Sequence, residues 1–306
     1  MASAPRSEKI WMDGRLVNWD DANVHLLTHT LHYGLGVFEG IRCYETADGP
    51  AVFRLAEHTR RLFTSARIVG IQIPFTEEEV NRAVLDTLRA NKLRQGYIRP
   101  LVYLGDEVRG LNCKGSSVHL GIAVWSWGAY LGEEALEKGI DVKTSSFTRH
   151  HPNVFMTKAK VCGAYVNSIM AKLEAVNDGY DEALLLDPNG FVAEGSGENL
   201  FIVRNGKLKT PPLTSTLEGI TRDSIMVVAR EMGIAVEEQY FSRDEVYLSD
   251  EAFFTGTAAE MTPINSLDRR IIGAGGLGPV SRRIQSAFFD ILKGKSAAYR
   301  HWLTHF

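Results

Sequence analysis

Apolar residues recur three or four positions apart in two stretches of the first third of the chain. Leu55–Gly70 has this spacing and ends on a glycine. Thr76–Leu93 also has it and opens with Thr-Glu-Glu-Glu, the signature of a capping box. The two stretches predict amphipathic helices. Ahead of them, Lys9–Asn18 surrounds an Asp13-Gly14 turn, which predicts a β-hairpin.

The pattern changes near the middle of the chain. Tyr97–Leu104 and Val118–Trp125 are rich in β-branched and aromatic residues and predict strands, which gives the first half an α+β character. Ser126–Gly139 then breaks into glycines and a short acidic helix. Such a break is typical of a connection between domains. We therefore predict a small N-terminal domain at 1–131 and a larger C-terminal domain at 132–306.

The second half alternates short strands with helices. Strands are predicted at Gly139–Ser146, Glu182–Leu186, Phe191–Ala193 and Leu200–Lys209, the last folded about Asn205-Gly206, and helices at Tyr165–Asn177, Thr221–Met232 and Val280–Leu292. This half is therefore dense in strands.

Composition narrows the functional classes. The 306 residues include 34 Lys and Arg against 37 Asp and Glu, spread along the chain, and 44% are hydrophobic. These proportions are typical of a globular protein with room for two cores, and the charge does not favour binding to nucleic acid or an anionic membrane. We therefore expect a small-molecule partner.

The cysteines and the apolar runs bear on location. Cys43, Cys113 and Cys162 are far apart and form no metal-binding or redox pair. The N-terminal residues lack the apolar core of a signal peptide, and no apolar run approaches the ~20 residues that span a bilayer. A cytoplasmic protein is expected.

Three motifs suggest other functions. Gly273–Gly278 fits G-x-G-x-x-G, but too few residues follow it for a dinucleotide-binding unit, so we interpret it as a turn into the last helix. His25, His29 and His32 have the spacing of ligands on a helix but lack companion ligands, and no metal is predicted. Gly195-Ser196-Gly197 lacks the spacing of a nucleophile elbow.

The strongest chemical signal is a pair of lysines, Lys158 and Lys160, inside a run of small and apolar residues. Lysines are unusual there. Burial and a second cation both disfavour the ammonium form, and a free amine can attack a carbonyl to form a Schiff base. The alternative is that the lysines merely extend to solvent.

Three glycine-containing turns follow. Glu194 and Glu198 flank Gly-Ser-Gly, Gly219 precedes a helix whose first amides favour phosphate, and Gly256-Thr257 follows an apolar strand. Pyridoxal phosphate needs a lysine for its aldehyde, an acid for its ring nitrogen and amides, hydroxyls and an arginine for its phosphate. The lysines and the turns together fit this cofactor.

At this point the sequence resembles the branched-chain amino acid aminotransferases of the type IV pyridoxal phosphate fold. The resemblance extends from Trp11 to Val280. It is carried by HYGLGVFEGIRCY at 32–44, YIRP at 97–100, WGAY at 127–130, Ala159-Lys160, EGSGEN at 194–199, GITRD at 219–223 and GTAAE at 256–260. It implies a two-domain α+β fold, with a small N-terminal α/β domain and a C-terminal domain around a barrel-like β core.

The resemblance also implies roles at the cofactor. Lys160 would be the catalytic residue that holds pyridoxal 5'-phosphate covalently, Glu194 would pair with the ring nitrogen, and Tyr165 would bond the ring oxygen. Leu217 would pack on the ring. The remaining residues form the implied phosphate cup: Arg61, Ile220, Thr221, Gly256 and Thr257.

The implied reaction is the reversible, ping-pong transfer of an amino group from leucine, isoleucine or valine to 2-oxoglutarate. Tyr33, Phe38, Trp127 and Tyr130 would form an apolar pocket, Arg99 and Arg42 would face the second carboxylate of glutamate, and Tyr97, Thr257 and Ala258 would hold the α-carboxylate. A neighbouring subunit would donate the Tyr33 loop, which implies a homodimer or larger assembly.

Departures and rivals remain. Cys162 and Ala164 follow the lysine where the family often has glycine and asparagine, and Gly36 replaces a common serine. Relatives of the same fold act on D-amino acids, (R)-amines or aminodeoxychorismate, and a non-catalytic sugar- or nucleotide-binding protein built on Gly273–Gly278 is a rival of another class. The order of preference among the three amino acids, biosynthesis or breakdown, and dimer or hexamer stay open.

Overall fold

The computed structural model describes residues 6–128, 131–132 and 134–306. In the first half, the elements are β1 (Lys9–Met12), β2 (Arg15–Asn18), α1 (His29–Tyr33), β3 (Gly36–Phe38), β4 (Ile41–Thr46), β5 (Gly49–Phe53), α2 (Leu55–Ile68), α3 (Glu77–Ala90), β6 (Gly96–Leu104) and β7 (Val118–Trp125).

The second half continues with shorter strands. They and their helices are α4 (Ala135–Lys138), β8 (Ile140–Thr144), α5 (Tyr165–Asn177), β9 (Glu182–Leu186), β10 (Val192–Gly195), β11 (Asn199–Arg204), β12 (Lys207–Thr210), α6 (Ile220–Glu231), β13 (Val236–Glu238), α7 (Arg243–Tyr247), β14 (Glu251–Gly256), β15 (Glu260–Leu267), β16 (Arg270–Ile271), α8 (Pro279–Leu292) and β17 (Leu303–His305).

Backbone contacts divide the chain into two units. The first consists of Met1–Trp127, Ala159–Ala164 and Ile291–Phe306, and the second of Gly128–Lys158 and Tyr165–Asp290. The sequence prediction had one boundary near Leu131 and placed Lys160 with residues 132–306. By contacts, Lys160 lies in the first unit because its segment bonds to β3: Phe38 N donates to Lys160 O at 3.1 Å, and Val37 bridges Val161.

The first unit is built on one antiparallel sheet with α2 and α3 beside it. The strands follow the order β17-β5-β4-β6-β7-β1-β2, and β3 also pairs with β6. β3 and β4 share one edge of β6, so the chain between them, Glu39-Gly40, lies beside Pro100, whose carbonyl accepts from Glu39 N at 2.9 Å. Thr76 caps α3 with Glu79 as predicted.

The second unit contains a closed barrel of six strands, β8-β9-β10-β11-β14-β15. β15 closes one seam by pairing with β8, and Glu194 of β10 closes another by pairing with Asn199 of β11. The barrel's strands contribute Val142, Leu200 and Phe254 to one buried apolar cluster. Because the seam falls at the predicted glycine turn, Glu194 is held by the barrel closure itself.

Among the described residues, no helix is both long and apolar enough to cross a membrane. The glycine run at 273–278 leads directly into α8, as the sequence predicted. A Cβ at Gly273 would lie 1.9 Å from the carbonyl oxygen of Asp250, so this turn admits no side chain there.

Candidate active site

Lys160 is fixed by its backbone to two elements of the first unit. Its amide donates to Ser65 Oγ of α2 at 3.0 Å, and its carbonyl accepts from Phe38 of β3. The Nζ atom lies 5.0 Å from the centre of the Phe38 ring. The face of an aromatic ring attracts a cation but does not accept its proton. The Phe38 ring therefore orients the Lys160 amine and leaves it able to react.

Arg99 lies within an aromatic cage formed by Phe38, Tyr97 and Trp125. Its guanidinium carbon is 4.9, 5.4 and 5.7 Å from the three ring centres. The buried Nε atom has no hydrogen-bond partner among the described residues, and none of their carboxylates pairs with Arg99. Because a buried donor without a partner is costly, this arrangement is typical of a site that receives an anion.

The other predicted substrate residues of the first unit lie around the same strands. Arg42 is buried and its guanidinium is 6.0 Å from the Trp127 ring, which packs edge-on against Tyr97 at 4.7 Å. A Cβ at Gly40 would lie 1.9 Å from the Tyr97 hydroxyl, so the tyrosine occupies space that only glycine leaves. Tyr33 is 48% exposed, and Tyr130 lies outside the described residues.

Arg61, the predicted phosphate ligand, is held by a buried acid. Its Nε and Nη2 atoms donate to Glu39 at 2.6 and 2.9 Å, and Glu39 also contacts His58 Nδ1 at 2.7 Å. Burial by itself would raise the pKa of Glu39, but the charge of Arg61 and the bond from His58 outweigh it and hold that pKa well below its usual range. Arg61 is therefore preset by a bidentate ion pair.

Glu194 of the second unit is held by the acid cradle, which we define as Arg149, Asn199 and Leu217. Its Oε1 atom lies 2.7 Å from Arg149 Nε, and its Oε2 atom accepts from Asn199 Nδ2 and the Leu217 amide, both at 3.1 Å. The Glu194 side chain is 6% exposed. One cation and two N–H donors favour the carboxylate form at a fixed orientation.

Two further turns of the second unit carry residues predicted at the cofactor. Gly219 precedes α6, and no side chain from the described residues caps that end, where Ile220 and Thr221 are buried. A Cβ at Gly219 would lie 1.9 Å from Asn199 Oδ1, so glycine is required beside the cradle. Gly256, Thr257 and Ala258 lie at the turn that joins β14 to β15.

The structure separates the two lysines by their contacts. Lys158 Nζ donates to the carbonyl of Leu213 and lies 3.6 Å from Glu218, and burial lowers its pKa. These contacts agree with a structural role for Lys158. Tyr165, predicted at the cofactor, begins α5 and is partly buried.

Several residues of these arrangements were missed from the sequence. Arg149 and His58 stand in no quoted motif, and Glu39 stands in the 32–44 motif without having been given a role there; their partners are 45, 19 and 22 positions away. Of the three histidines considered as ligands, His29 is buried and bonds the Gly110 carbonyl at 2.8 Å, and His32 bonds that of Leu26 at 2.9 Å. Within the described chain, no group of three metal-ligating residues is present.

The donor set fits pyridoxal phosphate. In the first unit, the oriented amine of Lys160 suits its aldehyde and the preset guanidinium of Arg61 suits a phosphate. In the second unit, the buried carboxylate of Glu194 suits its ring nitrogen and the start of α6 suits a phosphate. None of the described residues predicted at the cofactor has a chemistry that would disfavour pyridoxal phosphate.

The family model described as amino-transferase class IV matches residues 36–267. A branched-chain-amino-acid aminotransferase of Pseudomonas aeruginosa is 56% identical over 304 residues, covering 99% of each chain. The crystal structure of the Escherichia coli branched-chain amino acid aminotransferase superposes with a TM-score of 0.96 at 48% identity and covers 98% of this chain and 99% of that one.

A third comparison concerns a ligand complex. The T.th. branched-chain amino acid aminotransferase complexed with N-(5'-phosphopyridoxyl)-L-glutamate has a TM-score of 0.95 at 46% identity, covering 98% and 99% of the two chains. The chain belongs to the class IV aminotransferase family. The family, the type IV fold and the enzyme class predicted from the sequence are confirmed.

Proposed function

We propose that the chain is a branched-chain-amino-acid transaminase and that Arg99 decides which amino donors and acceptors it takes. It transfers the amino group of L-leucine, L-isoleucine or L-valine reversibly to 2-oxoglutarate, which yields 2-keto acids and L-glutamate. The observation that carries the proposal is Arg99 in its aromatic cage, beside the Lys160 amine that shares the Phe38 ring.

Pyridoxal 5'-phosphate, when bound, supplies an aldehyde that exchanges amino groups and a ring that accepts electrons from the substrate Cα. Lys160 would hold the aldehyde covalently. Its Nζ atom would also be the group that takes the proton from the substrate Cα and gives it back, as general base and then general acid. The Phe38 face keeps the amine oriented through both transfers.

Glu194 would keep the proton on the ring nitrogen. Its carboxylate is already oriented by the acid cradle, so it would need little rearrangement during the reaction. Tyr165 would bond the ring oxygen and Leu217 would pack on the ring. The residues that would hold the phosphate are Arg61, Ile220, Thr221, Gly256 and Thr257.

Substrate selection follows from the first unit and from the 256–258 turn. Phe38, Tyr33 and Trp127 would provide an apolar wall for branched side chains, to which the family resemblance alone adds Tyr130, whereas Arg99, with Arg42, would receive the side-chain carboxylate of glutamate. Tyr97, Thr257 and Ala258 hold the α-carboxylate. A pocket with both features accepts leucine and glutamate in alternate half-reactions.

A half-reaction panel tests the function. The full chain loaded with pyridoxal phosphate is mixed with L-leucine, L-glutamate, D-alanine or (R)-1-phenylethylamine, and the cofactor absorbance is followed. We expect L-leucine and L-glutamate to convert the chromophore and the other two to be far slower. Faster conversion by the D-amino acid or by the (R)-amine would assign the chain to another branch of the fold.

The second unit also carries an apolar stripe that favours assembly. Along α5, five apolar residues that recur every three or four positions, two of them adjacent, are 44–61% exposed: Val166, Ile169, Met170, Leu173 and Val176. Exposed apolar stripes of this length are typical of subunit interfaces. We propose a homodimer or larger homo-oligomer in which the exposed Tyr33 segment completes a neighbour's site.

Sedimentation of Leu173→Asp tests the assembly. We expect a smaller species than the wild type, whereas Leu111→Asp, at an 86% exposed leucine outside the stripe, serves as control and should leave the mass unchanged. A wild-type chain that sediments as a monomer would contradict the proposal.

The free thiols Cys43, Cys113 and Cys162 support a reducing compartment, and we propose the cytoplasm.

A further inference from the structure

Five charged side chains lie together under the glycine turn of the second unit. Glu194 pairs with Arg149 at 2.7 Å, and the fully buried Glu182 pairs with Lys172 at 2.8 Å. The fifth is Glu198, which is 5% exposed and forms no ion pair with any described lysine, arginine or histidine. Each of the two ion pairs is electrically neutral, so an ionised Glu198 would be an additional buried negative charge.

Glu198 also touches two turns at once. Its Oε2 atom accepts from the Gly197 amide at 3.0 Å, and its carbonyl accepts from Gly195 at 2.7 Å. A Cβ at Gly195 would lie 2.8 Å from Oε2, and one at Gly256 would lie 3.6 Å from Cγ. The side chain therefore fills the space between the turn after Glu194 and the turn at Gly256.

The charges that face Glu198 favour its acid form. The pKa of Glu198 is raised to about 8. Burial is the largest cause, and the negative charges of Glu182 on β9 and Glu194 on β10 also raise the pKa, while the bond from the Gly197 amide and the charge of Lys172 on α5 lower it by less. The Gly197 amide needs only an acceptor oxygen, which a neutral carboxyl also provides.

We propose that Glu198 is a positioning residue that acts as an un-ionised acid, holding the turn that carries Glu194 against the turn at Gly256. This rests on the proposed function only in giving Glu194 its place at the cofactor. Ionisation of Glu198 would add an unbalanced charge between the two turns and loosen both.

Thermal and urea unfolding of the full chain without cofactor, at one protein concentration, tests the protonation state. A carboxyl whose pKa is raised by folding stabilises the protein fully below its unfolded value and loses that contribution as the pH rises to the folded value. At each pH, the ratio of folded to unfolded wild-type protein is divided by the same ratio for Glu198→Gln. This quotient should fall about tenfold per pH unit between about pH 5 and pH 8 and stay constant above pH 8. A constant ratio over this range would overturn the proposal.

The positioning role is tested by the dissociation constant of pyridoxal phosphate. We expect Glu198→Gln to match the wild type near pH 7. Between pH 7 and pH 9, the wild type should lose about tenfold in affinity relative to this variant, because its acid ionises and the amide does not. Glu198→Leu, which has no acceptor for Gly197, should bind weakly at both pH values.

The outcomes separate the two proposals. Weak binding by Glu198→Gln at pH 7, or equal pH profiles in the two proteins, would overturn the role of Glu198 even in an active transaminase. Conversely, an inactive chain that shows the expected stability difference and the expected difference in cofactor affinity would leave Glu198 in place and overturn the proposed reaction.

Discussion

The aromatic cage of the first unit and the acid cradle of the second hold their charged groups in opposite ways. Arg99 is surrounded by three aromatic rings and by no described carboxylate, whereas Glu194 is paired with Arg149 and accepts two N–H bonds. Aromatic faces position a cation without neutralising its charge, whereas an ion pair both positions an anion and neutralises its charge.

The difference suits two kinds of ligand. In the proposed reaction, the substrate side chain changes between half-reactions from an apolar branch to a carboxylate, so a cation that receives it must tolerate either. In the same proposal the cofactor ring remains in place, and a permanently oriented acid would suit it. Arg61 follows the second pattern through its bidentate pair with Glu39.

The largest expected effect is at Lys160. Lys160→Ala removes the amine over Phe38 and should abolish turnover, because both the covalent attachment and the proton transfer depend on it. Borohydride reduction followed by peptide mapping measures the attachment. Lys158→Ala is the matched control and should keep a reducible, coloured protein. Label on Lys158 would contradict the assignment.

The next effect is at Glu194. Glu194→Gln keeps the shape of the acid cradle but removes the charge that faces the ring nitrogen, so we expect bound cofactor with a half-reaction slowed by ~10²-fold or more. Rapid-mixing absorbance with L-leucine measures the rate. An unchanged rate would remove Glu194 from this role.

A selective effect is expected at Arg99. Arg99→Met keeps part of the side-chain stem inside the aromatic cage and deletes the charge. The kcat/KM for glutamate or 2-oxoglutarate should therefore fall by a factor that corresponds to roughly 2–4 kcal/mol of transition-state stabilisation, while the kcat/KM for leucine should change much less. Arg94→Met, at an exposed arginine paired with Glu45, is the control and should alter neither. Equal losses for leucine and glutamate would show that Arg99 is structural.

The smallest effect is expected away from both regions. Thr76→Ala removes the cap of α3, where the threonine hydroxyl accepts from Glu79 N at 3.2 Å, and should lower the free energy of unfolding by about 1 kcal/mol. Urea denaturation measures it. The kcat/KM for leucine divided by that for glutamate should be the same in the variant and the wild type. A changed quotient would mean that substrate choice depends on the stability of the first unit and not on the aromatic cage around Arg99.

Local patterns in the sequence determined much of the fold. The Asp13-Gly14 hairpin, the capping box at Thr76 and the helix at Tyr165–Asn177 lie where their residues predicted them, because turn chemistry, capping and helical spacing act over a few positions. The family and its barrel were reached through ordered motifs, and the comparisons confirm both.

The tertiary structure decided which charges meet. Nothing near Arg149 in the sequence marks it as the partner of Glu194, 45 positions on, and Glu39 reaches Arg61 across 22 positions. The segment around Lys160 lies in the first unit through hydrogen bonds to β3, although its neighbours on both sides belong to the second. Pairing across a closed sheet depends on register and strand order, and local spacing encodes neither, so only the folded chain places these side chains together.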